Sequence, residues 1–387
     1  IPFSIILDEN PNAFINQDNK LYISTGLIKY TESYEALVGV LSHEIAHLQN
    51  FHILKRKKSI KTIKTFEKIT TLSLIAGSLV SDNSDYLLQS LITKKAGMHN
   101  YFFAFSQDQE READYYAIET LDKLRLNKYP LIKLLNLLEE KSIQKGNTEE
   151  YQKFSTHPIF KERYDAIDNS KKFEKYNFDE SFNNRYFFIK AKLFGFTEDN
   201  PELLNKYLKD DYLIYADAII LARKGNLKKS LKLINNLIDR YPNNSFLLEV
   251  KADLLYSNGF LNQALLFYKK IINTNALNNF INKRIFDIEF SLINISDKNQ
   301  SKELFNRFSF LLKIFYNNKD LNIKFKSLAN KSNSNQWIIY FDLNDKLYYK
   351  EIDSKQFKDN INKLKISTSD QNLKFLINKK IMNLNDK

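Results

Sequence analysis

The segment His43–His47, with the sequence HEIAH, constrains the fold more than any other part of the chain. Residues four apart lie on one face of an α-helix, so a helical segment would place both imidazoles side by side. Apolar residues recur around the motif with helical spacing, at Leu37, Val40, Leu41, Ile45 and Leu48. The pattern therefore predicts a helix that begins near Thr31 or Ser33 and carries the motif beside its buried face.

Two imidazoles in this arrangement can bind one zinc ion. The neutral imidazole nitrogens of His43 and His47 are the predicted ligands, for one Zn²⁺ per chain. Glu44 adjoins them and is placed to take a proton from a zinc-bound water, as metal-assisted hydrolysis of a peptide bond requires. The alternative is a chance occurrence of the motif on a solvent-exposed helix.

A catalytic zinc ion has three protein ligands and one open position, so a third ligand is needed. The remaining histidines are His52, His99 and His157. The best carboxylate candidate is Glu110, which shares a helix face with Asp114, so one could bind the metal while the other orients a ligand imidazole. The residues around Glu110 are equally typical of a solvent-exposed helix face, and spacing alone leaves both interpretations open.

The composition excludes several classes of protein. The 387 residues contain no Cys, which excludes a disulfide framework and thiolate chemistry. Only 8 Gly and 6 Pro are present, which favours helices over loop-rich folds. No apolar run reaches the roughly 18–20 residues of a membrane span, and Ile69–Val80 comes nearest. The sequence opens in an apolar run without Met, so we expect a processed or trimmed chain whose signal peptide has been removed.

The net charge of +12 allows two interpretations. A basic surface could bind nucleic acid or an anionic membrane. We favour an even spread of basic residues without a patch, because the interleaving of basic and aromatic residues typical of nucleic-acid binders is absent. The sequence thus predicts no nucleic-acid partner and leaves peripheral contact with a membrane open.

The order of the remaining patterns predicts a mainly α chain. Residues 3–7 and 21–25 have the composition of short strands separated by a turn. Long helices are predicted from about Tyr101 to Asn127 and from Pro130 to about Ile143. Together with the helix that carries the motif, these elements predict an α+β domain over residues 1–172.

The sequence after position 172 has a 34-residue period. Gly225 and Gly259 are one such period apart, and so are Ala218 and Ala252. This period, with small residues within helices and Gly at the turns, is the tetratricopeptide pattern. The predicted carboxyl-terminal organisation is a helical linker (173–205), helical repeats (206–330), and a β-hairpin (Trp337–Leu343 with Lys346–Tyr349) and helix of unknown role (331–387).

Five stretches between Asn12 and Arg163 together resemble the M48 family of zinc metallopeptidases. The stretches are Asn12-Ala13-Phe14, Thr25-Gly26-Leu27, the HEIAH motif, Glu110-Arg111-Glu112-Ala113-Asp114, and His157-Pro158 with Arg163. With the repeats, the chain resembles the periplasmic type of this family, in which the peptidase domain precedes tetratricopeptide repeats. The resemblance implies a zincin-like α+β domain with a small edge sheet, followed by an α-helical solenoid.

The resemblance also implies roles for the residues at the site. His43, His47 and Glu110 would bind zinc, Glu44 would be the catalytic base, and Asp114 would hydrogen-bond to a ligand. His52 would be structural, and His99 has no assigned place.

A second pair of residues is implied to act in catalysis. His157 and Arg163 would lie near the open zinc position and hold the tetrahedral intermediate. In the periplasmic type the histidine instead caps the zinc and keeps the enzyme latent. Ile69–Val80 falls where such enzymes carry an apolar plug over the cleft, with an ordinary buried helix as the alternative.

By this resemblance the chain would be a periplasmic metalloendopeptidase for protein quality control. Its partners would be unfolded or misassembled protein substrates and, through the repeats, the outer-membrane protein assembly machinery. The rival interpretation is a chaperone or scaffold in which the repeats act and the zinc site is silent.

Overall fold

A computed structural model describes residues 1–16, 19–50, 108–144, 161–170, 172–173, 175–274 and 278–385 of the protein. The chain divides into two compact units, Ile1–Lys224 and Gly225–Lys387. The mainly α fold with a small sheet is confirmed. No helix in the described parts of the chain combines the length and the apolar character that crossing a bilayer requires.

The first unit opens with a three-stranded sheet, which confirms the predicted strands. Its strands are β1 (Phe3–Ile6), β2 (Ala13–Ile15) and β3 (Leu21–Ser24). The order is β1-β3-β2, with β1 parallel and β2 antiparallel to β3. Alternate residues of β2 and β3 are buried in a core shared with the following helix, as the twofold periodicity of strands requires.

Hydrogen bonds connect the end of β3 and the start of α1 to the segment between β1 and β2. The Ser24 hydroxyl donates to the carbonyl of Asn10 at 2.7 Å, and the Thr25 hydroxyl donates to the carbonyl of Asp8 at 3.0 Å. The N–H of Gly26 donates to the same Asp8 carbonyl at 2.8 Å. These bonds satisfy main-chain groups that no strand pairs, so they fix the path of the chain into the first helix.

Replacing Gly26 with Ala is expected to lower the free energy of unfolding by at least about 2 kcal/mol. A Cβ at this position would overlap the main-chain carbonyl of Glu9, which cannot rotate away. The comparison variant is Gly39→Ala, whose Cβ would meet only side-chain ends, those of Leu131 at 2.9 Å and Leu121 at 3.4 Å, so its loss should be smaller because these ends can shift. Chemical denaturation of both variants checks the prediction, and equal losses would contradict it.

The helices of the first unit follow the sheet and carry the site. They are α1 (Thr25–Tyr30), α2 (Tyr34–Gln49), α3 (residues 108–124), α4 (Tyr129–Gln144), α5 (Lys161–Asp168), α6 (Glu180–Thr197), α7 (Pro201–Tyr207) and α8 (Asp210–Arg223).

Helix α6 belongs to this unit, although the sequence analysis placed residues 173–205 in a linker. The Tyr186 hydroxyl donates to the carbonyl of Thr31 at 2.7 Å, and Lys190 Nζ donates to the same carbonyl at 2.8 Å. Lys190 is only 1% exposed, and burial lowers its pKa to about 8. A lysine is buried to this degree when its ammonium group has a fixed partner, so α6 is packed against the end of α1 rather than free.

The second unit consists of helices in its described residues. They are α9 (Leu227–Arg240), α10 (Ser245–Ser257), α11 (Leu261–Thr274), α12 (Asn279–Leu292), α13 (Lys298–Phe308), α14 (Leu311–Ile314), α15 (Lys319–Ser332), α16 (Asn335–Tyr348), α17 (Ser354–Ser367) and α18 (Gln371–Asn385). One continuous core of buried apolar side chains runs through it, with Phe286 and Phe325 stacked at a centroid distance of 4.5 Å.

The 34-residue period has a counterpart in the backbone. Gly225 and Gly259 have φ angles of +80° and +81°, and each precedes a helix that starts two positions later. Glycine is required there because other residues adopt this conformation at a cost. Ser230 and Ala264, which occupy equivalent positions of the period, are both fully buried.

The predicted hairpin at Trp337–Tyr349 is wrong, because this segment forms helix α16. Its aromatic residues suggested strands, but Trp337, Tyr340 and Phe341 also have the spacing of one helix face, and all three are buried. Trp337 Nε1 donates to Asp370 at 2.9 Å, which satisfies its polar group within the helical packing. Tertiary packing here overrides the strand preference of aromatic residues.

Candidate metal centre

The site lies where α2 and α3 pack side by side in opposite directions. At one end, Glu35 in the first turn of α2 accepts the N–H of Asn127, just beyond α3, at 3.0 Å. At the other end, Asn50 donates to Glu112 near the start of α3 at 3.5 Å. The second half of α2, which carries the HEIAH motif, therefore lies beside the first turns of α3.

Small residues allow the two helices to approach closely. Gly39 leaves little room for a side chain, since an added Cβ would lie 2.9 Å from Leu131 on α4 and 3.4 Å from Leu121 on α3. Ala46, within the motif, and Ala113 on α3 are both fully buried. Because the distance between helix axes is set by the side chains at the contact, these residues bring the polar groups of both helices within bonding range.

Three side chains converge on one point between the helices. His43 Nε2 lies 3.3 Å from one carboxylate oxygen of Glu110, and His47 Nε2 lies 3.5 Å from the other. The two Nε2 atoms are 3.0 Å apart. All three side chains are buried, and their ligand atoms form a group able to hold a metal ion.

These distances fit a tetrahedral zinc ion. Zinc binds nitrogen and oxygen ligands at about 2.0–2.2 Å, so ligand atoms at the corners of a tetrahedron lie about 3.3 Å apart. The measured separations of 3.0, 3.3 and 3.5 Å bracket that value. Two imidazoles and one carboxylate are also the donor set of catalytic zinc sites, in which the fourth position is open.

Asp114 fixes the orientation of one of the imidazoles. Its Oδ1 lies 2.9 Å from His43 Nδ1. When Nδ1–H donates to this carboxylate, the lone pair of Nε2 points toward Glu110 and His47, which is the tautomer that a metal ligand needs.

The concentration of buried polar groups distinguishes the site from an ordinary core. His43, Glu44, His47, Glu110 and Asp114 are each at most 7% exposed. Carboxylates are rarely buried unless they are paired or bind a metal. Three of them beside two histidines therefore indicate a functional site rather than packing.

The structure thus brings together the three predicted ligands, with Asp114 against one of them and Glu44 adjacent in the same helix. His52, His99, His157 and the predicted plug Ile69–Val80 lie outside the described residues. Arg163 is part of α5, and its side chain is not among those described.

Two positioning residues were missed at the level of sequence. The sequence analysis did not single out Glu35, whose carboxylate holds the main chain after α3. Gly39 gave no signal beyond being a glycine inside a helical pattern, which is itself a sign of close helix packing.

Comparison with known proteins points to one family. Residues 2–171 match the model of Peptidase family M48. This region, which is less than half of the chain, is similar to an M48 peptidase domain. The match covers the elements that carry the five buried site residues, and it supports assignment of the region to the metalloproteases.

Curated relatives match about half of the chain at low identity. The beta-barrel assembly-enhancing protease of Yersinia pestis is 24% identical over 213 residues, 54% of this chain and 43% of the relative. The protein of the same name from Escherichia coli K12 is 21% identical over 211 residues, 54% of this chain and 42% of the relative. The mitochondrial metalloendopeptidase OMA1 of Schizosaccharomyces pombe is 24% identical over 165 residues, 42% of this chain and 44% of the relative. The chain therefore spans less than half the length of these relatives.

Proposed function

We propose that the protein is a zinc-dependent metalloendopeptidase that cleaves misfolded or stalled proteins. The observation that carries the proposal is the convergence of His43, His47 and Glu110 on one buried point with the separations of zinc ligands. The family match supports the reaction class.

In this proposal each residue of the site has a separate task. His43, His47 and Glu110 would hold the zinc, which when bound supplies a Lewis acid and lowers the pKa of its water to about 7. Glu44 accepts the proton of the attacking water and delivers it to the leaving amide nitrogen. Asp114 keeps His43 in the tautomer and orientation that binding requires.

His157 and Arg163 complete the proposed catalytic set. We assign them the stabilisation of the negative charge that develops on the carbonyl oxygen, a role worth about 3–4 kcal/mol per donor in other enzymes. The assignment comes from the family resemblance of the His157-Pro158 stretch and the Arg that follows it in α5.

The sheet offers a place for the substrate main chain. β2 pairs with β3 on one side and packs along α2, the helix of the motif. Among the described residues, no strand pairs with its other edge. An extended peptide that added to this edge would be held by main-chain hydrogen bonds beside the metal centre.

The carboxyl-terminal helices would supply recruitment. We assign residues 206–330 to tetratricopeptide-type repeats on the 34-residue period and its repeated glycine turns. The names of the relatives, which refer to β-barrel assembly, support a role in protein quality control next to the outer-membrane assembly machinery. We assign this role to the periplasm from the family resemblance.

Removal of the metal tests the proposal. We expect the purified protein to contain one zinc ion per chain, to lose cleavage of a chemically unfolded protein when a chelator removes it, and to regain cleavage when zinc is returned. Metal analysis and gel-based cleavage assays on the same samples provide the measurement. Full cleavage by metal-free protein would refute the proposal, and zinc binding without any cleavage would favour a scaffold with a silent site.

A further inference from the structure

The positive charge of the protein resides in its carboxyl-terminal unit. Residues 225–387 contain 27 of the 58 Lys and Arg residues but only 15 of the 46 Asp and Glu residues. The excess in this unit equals the whole net charge of +12, so residues 1–224 are balanced. The basic residues themselves are spread almost evenly, as expected, and the net excess arises because acidic residues are fewer in this unit. The excess favours binding of anionic partners by the helical unit.

A cleft of 290 Å³ opens within this basic unit. Its walls come from α15, α16 and α18, and from the turn that precedes α15. The volume lies just below the range of ligand pockets, about 300–1,000 Å³. It can therefore hold a short stretch of extended chain but not a folded surface.

The charges that line the cleft are mainly positive. Three lysines, Lys326, Lys379 and Lys380, face one acidic residue, Asp345. Lys326 and Asp345 form an ion pair with each other, so the pair contributes no net charge. Counted over the lining residues, the net charge is an excess of two positive charges. Lys379 Nζ lies 5.7 Å from the centroid of the Tyr316 ring at the cleft.

The uncharged walls present apolar surface to a ligand. Tyr340, Phe341 and Leu376 are buried at the base of the cleft. At its edges, Tyr348 is 72% exposed and Ile323 is 68% exposed. Exposed apolar side chains that rim a cleft are typical of surfaces that bind another molecule.

Two amides are held in place by the helices beside the cleft. Asn344 Nδ2 donates to the carbonyl of Tyr340 at 2.7 Å, and Asn322 Nδ2 donates to the carbonyl of Asn318 at 2.8 Å. Each side chain keeps a carbonyl oxygen that can accept an N–H group. A fixed acceptor of this kind suits the main chain of an extended peptide.

We propose that this cleft binds an extended acidic segment of a partner protein, with its carboxylates at Lys379 and Lys380 and an apolar side chain against Tyr348. The amide acceptors and the narrow volume favour a polypeptide. Nucleic acid is bound by neutralising many phosphates along a groove, and a local excess of two charges does not provide this. An anionic membrane needs a broad basic face rather than a cleft.

The experiment uses the full chain with Glu44→Gln, so that cleavage cannot consume the probe. The probe is a fluorescent dodecapeptide with blocked ends in which Glu alternates with Tyr and Leu, and its binding is followed by fluorescence anisotropy. We expect saturable binding that Lys379→Glu with Lys380→Glu weakens by at least about tenfold. A peptide in which Lys replaces every Glu should not compete.

Two matched controls test whether the cleft itself is responsible. Lys355→Glu with Lys363→Glu makes the same change in charge at exposed positions of α17 outside the cleft. Tyr348→Ala should also weaken binding of the probe, and its control is Tyr349→Ala, at a neighbouring residue that is 69% exposed and does not line the cleft. We expect both control variants to bind the probe as the parent does.

The possible results distinguish an acidic peptide from the other candidate ligands of the cleft. Equal weakening by both pairs of charge reversals would overturn the proposal, because binding would then reflect diffuse charge. Displacement of the probe by single-stranded oligo(dT) or by phosphatidylglycerol vesicles at lower concentration than by free peptide would also overturn it. Absence of probe binding would overturn it as well, and would leave the zinc-dependent cleavage of the first unit unaffected.

Discussion

Glu44→Gln is expected to slow the cleavage of an unfolded protein by about 10²–10⁴-fold, because the amide cannot accept the proton of the attacking water. Glu44 is buried next to a predicted zinc ligand, and Gln has the same shape, so the fold and the zinc content should not change. A loss of cleavage with unchanged zinc content would identify Glu44 as a catalytic base rather than a metal ligand. Single-turnover cleavage rates and zinc content, measured on the same preparation, provide the test.

Glu119→Gln is the matched control for that substitution. Glu119 lies on α3 with an exposed carboxylate that pairs with Lys123, one turn farther along. Surface pairs of this kind contribute little, so this variant should cleave at the parental rate. A Glu44→Gln protein that retains zinc and cleaves normally would contradict the assigned mechanism, whereas loss of zinc would show that Glu44 helps to bind the metal.

The local part of the site could be predicted from the sequence because helix geometry alone determines it. His43 and His47 are one turn apart, so a helix places their imidazoles together whatever surrounds it. The apolar stripe that identifies the helix is also local. Prediction succeeds here since no information about distant residues is needed.

The third ligand depends on tertiary packing, which spacing could not supply. Glu110 lies on a different helix, far from His47 in the sequence, and the residues around it also suit a solvent-exposed helix face. The family resemblance selected it, and the structure shows why it can reach the site. The buried alanines Ala46 and Ala113 let α3 approach α2, and the far end of the helix pair is held by a hydrogen bond to the Glu35 carboxylate.

The failures outside the site have the same origin. Trp337, Tyr340 and Phe341 have strand-forming side chains, yet the large core of the second unit buries them on one face of α16. α6 was assigned to a linker because its apolar residues alone do not reveal that Tyr186 and Lys190 bind the end of α1. In both cases contacts between residues far apart in the sequence determine the structure, and local sequence patterns contain no information about such contacts.

Glu110→Gln is expected to remove most of the stabilisation of the protein by zinc. A ligand that binds only the folded state at a thousandfold excess over its dissociation constant stabilises by about 4 kcal/mol. A neutral amide is a poorer zinc ligand than a carboxylate, so the variant should show a much smaller rise in unfolding temperature when zinc is added, and no cleavage. Thermal unfolding with added zinc and with chelator provides the measurement, and Asp108→Asn, at an exposed position of the same helix, is the control.

The unfolding measurement in chelator distinguishes a metal ligand from a carboxylate that only supports the fold. Without metal, Glu110 is a fully buried carboxylate next to two buried imidazoles, and burying a charge is costly when no cation balances it. Glu110→Gln should therefore be at least as stable as the parent in chelator, and less stable than the parent in zinc. If the variant instead loses the same stability in both conditions, Glu110 acts through structural hydrogen bonds, and the assignment of a three-ligand zinc centre fails.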